Sequence, residues 1–404
     1  LHRIPDPSTR RPLNWHTLTR DCLPPVVLCY VTALLVITPR TLFIRLTLLP
    51  ITLYAVFHCA TQVNLPKGCP YEESLVYLNQ ILVFGMITLG IRALIWTFQL
   101  EPYHRLQSYN PFADAFDLVF NLRGIGWSWS SGLKVPIETR NTSSKFAFIL
   151  DTVRSCLVSC FFIDFLLLAL QSFSLPPPMI PNPKNITHTF ASPTGGSIFD
   201  PTLPLHIRYL RSSLISCLFA LFVYHILNAL YLLPSLPALV LLSHTPAEWP
   251  PLFHTPWSAT SLTELWVSRW HQLFRHLFIA TGGAPLFSLF GRAAAVLGVF
   301  FSSGLLHCFG LWGMGRGTDF SRVAGFFIMM GVGILAEHAY RALTGRRVGG
   351  VSGWIWSALW LLLWGNRVVD AYLTRGLIGS TYFPHELRPS TLLLGLAKRW
   401  LHIP

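Results

Sequence analysis

The chain alternates between long apolar runs and shorter polar connections. A helix needs about 20 apolar residues to cross a bilayer core about 30 Å thick. Eight runs reach or approach this length, at 23–38, 42–63, 75–99, 146–170, 209–232, 284–312, 323–340 and 352–374. A shorter apolar piece at 233–242 contains two prolines, so we expect it to be re-entrant or interfacial. The pattern predicts an all-α polytopic membrane protein with about eight transmembrane helices.

The polar connections indicate how these helices are oriented. Connection 101–145 carries five Lys and Arg residues, which favours the cytosolic side. Connection 171–207 follows one span later, is rich in Pro, Ser and Thr, and should lie on the opposite side. Asn185 begins an Asn-Ile-Thr sequon there, so we expect it to be glycosylated in the lumen. Connections 243–283 and 341–347 are basic again and are expected in the cytosol.

The domain organisation is predicted to be simple. A polar segment at 1–20 precedes one membrane domain at 21–390, and a tail follows at 391–404. No internal repeat and no linker between halves is visible in the sequence. Counting spans backwards places the arginine-bearing segment 1–20 in the lumen, which conflicts with its charge. The first spans are therefore either miscounted or incompletely inserted.

Composition supports the bilayer as the solvent. Of 404 residues, 52% are hydrophobic and 12% are charged, and the mean hydropathy is +0.49. Soluble domains carry about 25% charged residues. The net charge of +13 is scattered between apolar runs without a nucleic-acid-binding signature, so we assign it to membrane anchoring. The eight cysteines form no CxxC pair, so neither a zinc site nor a disulfide framework is indicated.

A single histidine, His307, lies within the apolar stretch "FFSSGLLHCFGLWG" at 300–313. Ionisable groups at membrane depth are costly and usually face a partner or a cavity. Ser303 lies one helical turn earlier, and small residues continue along the same run. Small residues allow close helix packing, but they also leave room for a substrate beside an imidazole. Both a structural hydrogen bond and a general base are compatible with this pattern.

A second stretch, "SLTELWVSRWHQLFRHLF" at 261–278, begins with a capping-box pattern, Ser261 followed by Glu264. It predicts an amphipathic helix with an aromatic and aliphatic face. Such a helix is typical of the membrane interface. The alternative is a helix at a cytosolic active-site mouth, with Arg269 and Arg275 binding a phosphorylated ligand.

A third stretch, "NLRGIGWSWS" at 121–130, is too short for a phosphate-cradling loop and lacks the Lys-Ser/Thr of a P-loop. Just before it, Asp114 and Asp117 have the DxxD spacing with which prenyl-transfer enzymes hold magnesium diphosphate. That interpretation requires a second acidic cluster, which the sequence does not show.

Other charged residues near the apolar runs favour structural interpretations. Asp151 and Arg154 have the spacing of a helical ion pair. Asp164 has no local partner and is expected to pair with another helix. Glu337 is expected to belong to a solvated interfacial cluster with His338 and Arg341.

Three stretches in this order, "RGIGW" at 123–127, "LTELWVSRWHQLFRH" at 262–276 and "FFSSGLLH" at 300–307, resemble the wax synthase-like branch of the membrane-bound O-acyltransferases. The similarity is greatest to fungal members that acetylate terpenoid and meroterpenoid hydroxyls. It covers roughly 20–390 and is most specific over 261–307. The resemblance implies a fold with an intramembrane catalytic tunnel.

The resemblance also implies roles for particular residues. His307 matches the family's intramembrane general base. His271 follows Trp270 where many relatives carry an asparagine, so a role as second catalytic residue is expected despite the departure. The residues expected to contact the substrate or CoA are Arg123, Gly126, Trp127, Trp270, Arg269, Arg275 and Ser303.

The implied function is acyl-CoA-dependent O-acyl transfer to a lipophilic alcohol, with acetyl-CoA as co-substrate and no bound cofactor or metal. Acetylation of a terpenoid or other secondary metabolite is the first expectation, and wax-ester synthesis from a long-chain alcohol is the alternative. A transporter with histidines along its path would show pseudo-symmetric halves, and a terpene cyclase or prenyltransferase would need more acidic residues. The expected location is a fungal endoplasmic reticulum membrane.

Overall fold

The computed structural model describes residues 6–108, 110–130, 133–173, 190–242 and 244–393, and these residues are predominantly helical. The predicted all-α fold class is confirmed. The main helices are α1 (Trp15–Val36), α2 (Leu42–Gln62), α3 (Tyr77–Phe98), α4 (Pro111–Phe120), α5 (Lys145–Ser172), α6 (Leu205–Leu241), α7 (Leu262–Glu264 continuing into π-helical Leu265–Arg269), α8 (Arg275–Gly313), α9 (Phe320–Thr344) and α10 (Gly350–Leu373). A two-residue strand β1 (Arg11–Pro12) pairs in parallel with β2 (Val63–Asn64).

Within the described residues, seven helices are long and apolar enough to cross a membrane, namely α1, α2, α3, α5, α6, α8 and α9. The eighth predicted run, 352–374, also forms a helix, α10. That helix contains four tryptophans together with Asn366, Arg367 and Asp370, which lower its mean hydropathy. It is therefore not among the seven.

Helix α6 does not end where the sequence pattern predicts. We expected a span at 209–232 and a separate re-entrant or interfacial piece at 233–242, and this is wrong. The helix runs without interruption to Leu241 through Pro234 and Pro237. Each proline removes one backbone donor, and the Ser235 hydroxyl donates to the nearby Leu232 carbonyl at 2.6 Å.

Helix α8 contains a chain reversal. The backbone at Gly291 has φ 78° and ψ −166°, a conformation that is far from helical and that glycine adopts readily. The arm 275–290 then packs antiparallel to the arm 292–313. At the crossing point a Cβ on Gly282 would lie 2.1 Å from the Gly298 carbonyl oxygen, so both glycines are required there. The expected single span over 284–312 is therefore wrong.

Helix α9 packs antiparallel along the second arm of α8. A Cβ on Gly304 would lie 2.9 Å from the Ala324 Cα, and one on Gly331 would lie 3.2 Å from the Phe300 ring. The small residues of this run therefore serve close helix packing, as one of the two interpretations of the sequence predicted. The C-terminal end of α9 consequently lies at the same end as the Gly291 reversal.

The described chain divides into two compact units, one containing Leu1–Lys134 and Thr260–Trp354, the other Val135–Ala259 and Ile355–Pro404. In the second unit, Asp151 pairs with Arg154 at 3.8 Å, as the spacing predicted. Asp164 pairs with Arg388 at 2.7 Å, but Arg388 follows a short 3-10 helix rather than lying on a long one. The predicted glycosylation site, Asn185, lies outside the described residues.

Candidate active site

His307 lies on the second arm of α8, and its ring is held on one side by its own helix. The Nδ1 atom lies 2.8 Å from the Ser303 carbonyl oxygen. The ring of Phe327, on α9, lies 4.3 Å from the His307 ring. The ring of Phe84, on α3, lies 5.7 Å from it in an edge-on arrangement. Two aromatic rings on neighbouring helices therefore flank the imidazole.

The Ser303 contact determines which nitrogen of His307 carries the proton. A carbonyl oxygen can only accept a hydrogen bond, so Nδ1 must be the donor. In the neutral imidazole Nε2 then keeps its lone pair and acts as an acceptor. The helix itself therefore presents an unprotonated nitrogen, which is the form a general base requires.

The α8 hairpin brings a second histidine toward the first. Gly282 lies opposite Gly298. Because the arms are antiparallel, each step forward on one arm matches a step back on the other, so facing residues have numbers that add up to about 580. His271 and His307 satisfy this relation although 36 positions separate them. Burial lowers the pKa of His271 to about 3, and the neighbouring His307 and Arg123 act in the same direction. His271 is therefore neutral near pH 7 and able to donate one hydrogen bond.

Helix α7 ends two residues before His271, and it is shorter than predicted. The Ser261 hydroxyl accepts from the Glu264 backbone N–H at 3.0 Å, which confirms the predicted helix start. The helix ends at Arg269, because Trp270 adopts an extended conformation with φ −82° and ψ 157°. The expected single amphipathic helix over 261–278 is therefore wrong: a turn separates α7 from α8.

The turn after α7 is closed by its own side chains. The Gln272 amide donates to the carbonyl oxygens of Trp266 at 3.1 Å and Trp270 at 3.0 Å. The Trp270 ring lies 6.0 Å from that of Trp266 and 5.6 Å from that of His271. Trp266 also packs edge-on against Phe300 at 5.8 Å. These contacts fix the backbone on both sides of His271.

The "RGIGW" stretch forms a tight turn in the same unit. Gly124 has φ 69°, and a Cβ there would lie 2.5 Å from the Trp129 ring. Gly126 has φ 80°, but a Cβ there would meet no atom within 4 Å. Trp127 is buried, and its indole N–H donates to Asp117 at 2.6 Å. The structure thus shows this stretch shaping the backbone between Arg123 and Trp129.

The DxxD carboxylates are bound by the chain's own residues. Arg105 forms ion pairs with Asp114 at 3.2 Å and with Asp117 at 3.5 Å, and all three side chains are buried. The Ser108 hydroxyl also donates to Asp114 at 2.5 Å. Among the described residues, no group of three or more His, Cys, Asp or Glu could hold a metal ion. The diphosphate-binding interpretation gains no support.

A small cavity of about 20 Å³ lies between the "RGIGW" turn and the start of α8. Its polar and aromatic lining residues are Arg123, Trp129, Ser130, Gln272, Arg275 and His276. Arg123 is buried, whereas Arg275 is exposed. Arg269 instead forms an ion pair with Glu264 at 2.7 Å. Of the three arginines predicted to contact the substrate or CoA, two therefore line this cavity.

Several residues at the site were not predicted. Phe84, Phe327, Trp129 and His276 carry no distinctive signal, because aromatic residues are frequent throughout the apolar runs. Gln272 lies within a stretch that the sequence had marked, yet its role depends on a loop conformation. Ser303 was predicted to contact substrate, but its backbone carbonyl, rather than its buried hydroxyl, contacts His307.

Residues 249–329 match the family model described as membrane bound O-acyl transferase family. The matched segment includes the turn after α7, both arms of α8, His271 and His307. The match covers about a fifth of the chain, and over this segment the chain is similar to the family.

The chain is also similar to several curated proteins. It is 32% identical over 167 residues to the acetyltransferase aurG of Calcarisporium arbuscula, covering 38% of this chain and 39% of the relative. It is 31% identical to the probable long-chain-alcohol O-fatty-acyltransferase 7 of Arabidopsis thaliana, covering 39% of this chain and 49% of the relative. The O-Mevalon transferase yanI of Aspergillus niger is 26% identical, over 74% of this chain and 71% of the relative. The aligned part therefore spans about two fifths of the length of aurG.

Proposed function

We propose that this chain is an acyl-CoA-dependent O-acyltransferase, and that it moves an acetyl group from acetyl-CoA to a hydroxyl of a lipophilic secondary metabolite. The observation that carries this proposal is the hydrogen bond from His307 to the Ser303 carbonyl oxygen, which leaves Nε2 as an acceptor. The acetyltransferases among the relatives support the acyl group.

His307 acts as the general base in this mechanism. An alcohol is a weak nucleophile at neutral pH, so its proton must leave as its oxygen attacks the thioester carbonyl carbon. Nε2 of His307 accepts this proton. The tetrahedral intermediate collapses with cleavage of the carbon–sulfur bond, and the departing CoA sulfur takes a proton from the imidazolium. His307 returns to its neutral form, and no metal is needed for the proton balance.

His271 serves as a hydrogen-bond donor to the developing oxyanion. Neutral imidazole has one N–H, which can donate to the carbonyl oxygen as its charge increases in the transition state. The low pKa of His271 suits this role, because a neutral donor does not repel an imidazolium forming at His307. The asparagine that relatives carry would offer an amide N–H to the same oxygen.

We assign the polar end of the thioester substrate to the arginines at this cavity, whose own volume of about 20 Å³ has room for about one water molecule. CoA carries several phosphate groups, and arginine pairs with phosphate through directed hydrogen bonds. Arg123 and Arg275 both line this cavity, together with Gln272 of the turn that contains His271. The apolar alcohol would arrive from the lipid side, as suits a site within a multi-pass membrane protein. We assign the protein to the endoplasmic reticulum membrane of a fungus.

A second acyl group is supported by one comparison. The similarity to a probable long-chain-alcohol O-fatty-acyltransferase favours wax-ester synthesis as the alternative activity. The same base, donor and cavity would serve that reaction, with a long-chain acyl-CoA and a fatty alcohol. The two activities differ in the acyl group and alcohol that are accepted.

The test compares microsomes that contain equal amounts of wild type, His307→Ala and His338→Ala. Each sample receives radiolabelled acetyl-CoA or palmitoyl-CoA with a panel of terpenoid and fatty alcohols. Ester formation should fall about 10²- to 10⁴-fold in His307→Ala, because the base is lost. His338 is exposed on α9, so His338→Ala should keep wild-type activity.

The preferred thioester decides between the two acyl groups. Equal ester formation by wild type and His307→Ala would contradict the base while leaving acyl transfer intact. An absence of ester with every pair in the wild type would count against acyl transfer itself.

A further inference from the structure

Glu337 lies on α9, close to the first residues of α7. The sequence placed it in a solvated cluster with His338 and Arg341, and for Glu337 this is wrong. The structure buries Glu337 to 5% exposure while both neighbours are exposed. A buried carboxylate is costly unless several donors stabilise it. Its donors therefore indicate what it does.

Those donors come from the first turn of α7. The Leu262 backbone N–H donates to Oε1 at 2.6 Å, and the Thr263 backbone N–H donates to Oε2 at 3.0 Å. The Thr263 hydroxyl also donates to Oε2 at 2.6 Å. Bonds from N–H groups to an ionised acceptor are about twice as strong as neutral ones. Both carboxylate oxygens are thus used to fix one end of α7 on α9.

The chain from this anchor to His271 is short and internally braced. Glu264 accepts from the Thr260 N–H at 2.8 Å before α7 and from the Arg269 guanidinium at 2.7 Å at its end. Trp266 packs between these points on Phe300. The extended residue Trp270 and then His271 follow directly. A shift at the anchor therefore passes along a stiff segment of eight residues to the site.

We propose that Glu337 is a positioning residue for His271, acting through the first turn of α7; this inference rests on the proposed acyl transfer. Glu337 lies at the opposite end of α7 from His271, and its bonds to the first turn of α7 connect it to that histidine. It determines where the His271 imidazole lies relative to His307. Its effect should therefore fall on turnover rather than on thioester binding.

The test measures kcat, KM for the acyl-CoA and thermal stability in detergent for three variants. In Glu337→Gln one oxygen becomes an NH₂ group, which faces the N–H of Leu262 or of Thr263 in either amide orientation, so the turn is pushed away. We expect kcat to fall by about tenfold or more, because small misplacements of catalytic groups are costly, with KM within about twofold of wild type. Thr263→Val loses only the hydroxyl bond and should lower kcat about two- to fivefold, with a smaller loss of thermal stability than Glu337→Gln. Glu73→Gln breaks a surface pair with Arg316 and should change neither constant.

An activity-independent readout accompanies these kinetics. Diethyl pyrocarbonate modification followed by mass spectrometry reports how accessible each histidine is. His271 should react at least about fivefold faster in Glu337→Gln than in wild type, because the displaced turn exposes it, while exposed His338 should react equally in both.

The outcomes distinguish failure of the positioning role of Glu337 from failure of the proposed acyl transfer. Wild-type kcat and unchanged His271 reactivity in Glu337→Gln would overturn the positioning role. If Glu337→Gln does not fold, Thr263→Val decides by the same two measurements. A wild type that forms no ester contradicts the proposed function, and His271 reactivity still tests the anchor.

Discussion

The His307 ring and the Ser303 backbone are joined across one helical turn, with Nδ1 2.8 Å from the carbonyl oxygen. This contact involves the main chain of Ser303, so the identity of its side chain is not what orients the imidazole. The ring orientation and the tautomer of His307 are instead properties of the helix in which it lies. This relationship separates two residues that the sequence had grouped together as site residues.

Ser303→Ala should therefore retain ester formation. The backbone carbonyl remains, and we expect kcat to stay within about threefold of wild type, a barrier change of about 0.7 kcal/mol. His307→Gln, measured beside it, should lose activity because an amide cannot accept the proton. Assays at matched protein amounts compare the two. A loss in Ser303→Ala as large as that in His307→Gln would assign the hydroxyl a chemical role.

Two neighbouring glycines offer a matched pair in the "RGIGW" turn. Both have positive φ, so alanine at either position costs about 1–2 kcal/mol of backbone strain. Gly124→Ala additionally places a methyl group 2.5 Å from the Trp129 ring, whereas Gly126→Ala meets nothing within 4 Å. Thermal unfolding in detergent should show a larger loss of stability for Gly124→Ala. Equal losses would mean that the Trp129 contact is unimportant.

The α8 hairpin can be tested at its crossing point. Gly282→Ala would place a Cβ 2.1 Å from the Gly298 carbonyl oxygen, and rigid backbone cannot yield as a side chain can. We expect a loss of about 3 kcal/mol or more, with activity falling in parallel as the arms separate. Gly325→Ala is the control, because open space surrounds that helical position. It should stabilise α9 by about 0.5–1 kcal/mol. The free energy of unfolding in denaturant measures both.

The low pKa of His271 predicts how stability depends on pH. The unfolded histidine binds a proton below about pH 6.5, whereas the folded one stays neutral down to about pH 3. The unfolded state binds more protons between these values, so this residue makes the protein less stable as pH falls from 6.5 toward 3, by up to about 1.4 kcal/mol per pH unit.

His271→Asn should reduce this acid dependence, because an amide does not titrate. Melting temperatures between pH 7 and pH 4 report the slope. His271→Asn should also keep more ester-forming activity than His271→Ala, since loss of an oxyanion donor costs about 10²- to 10³-fold. Parallel pH curves for wild type and His271→Asn would show that His271 titrates normally.

The sequence predicted the helices better than their connections. Hydropathy alone located the membrane helices, because a lipid-facing helix must be apolar over most of its length. It could not detect the reversal at Gly291, since a hairpin of two apolar arms has the same composition as one long helix. It also could not distinguish a proline-bearing helix from a break at 233–242.

At the site, the residue types were predictable but their partners were not. His58, His225 and His338 also lie in apolar runs, so the resemblance rather than rarity indicated His307, and it indicated His271 and Arg123 as well. The burial of Glu337 was unpredictable, because its donors lie about 75 positions away in the chain. Phe84 and Phe327 could not be singled out, since long-range packing rather than local pattern places them beside His307.

The hairpin at Gly291 also has a consequence for how the chain threads the bilayer. Leu262 lies beside Glu337 near the Gly291 end, whereas His271 lies toward His307, so α7 leads inward and the arm 275–290 leads back. Because α7 and the arm 275–290 begin and end at the same level, together they add no crossing of the membrane. Non-helical backbone within the hydrocarbon is tolerated where protein surrounds it. The start of α7 and the end of α9 thus lie at the same end of this unit.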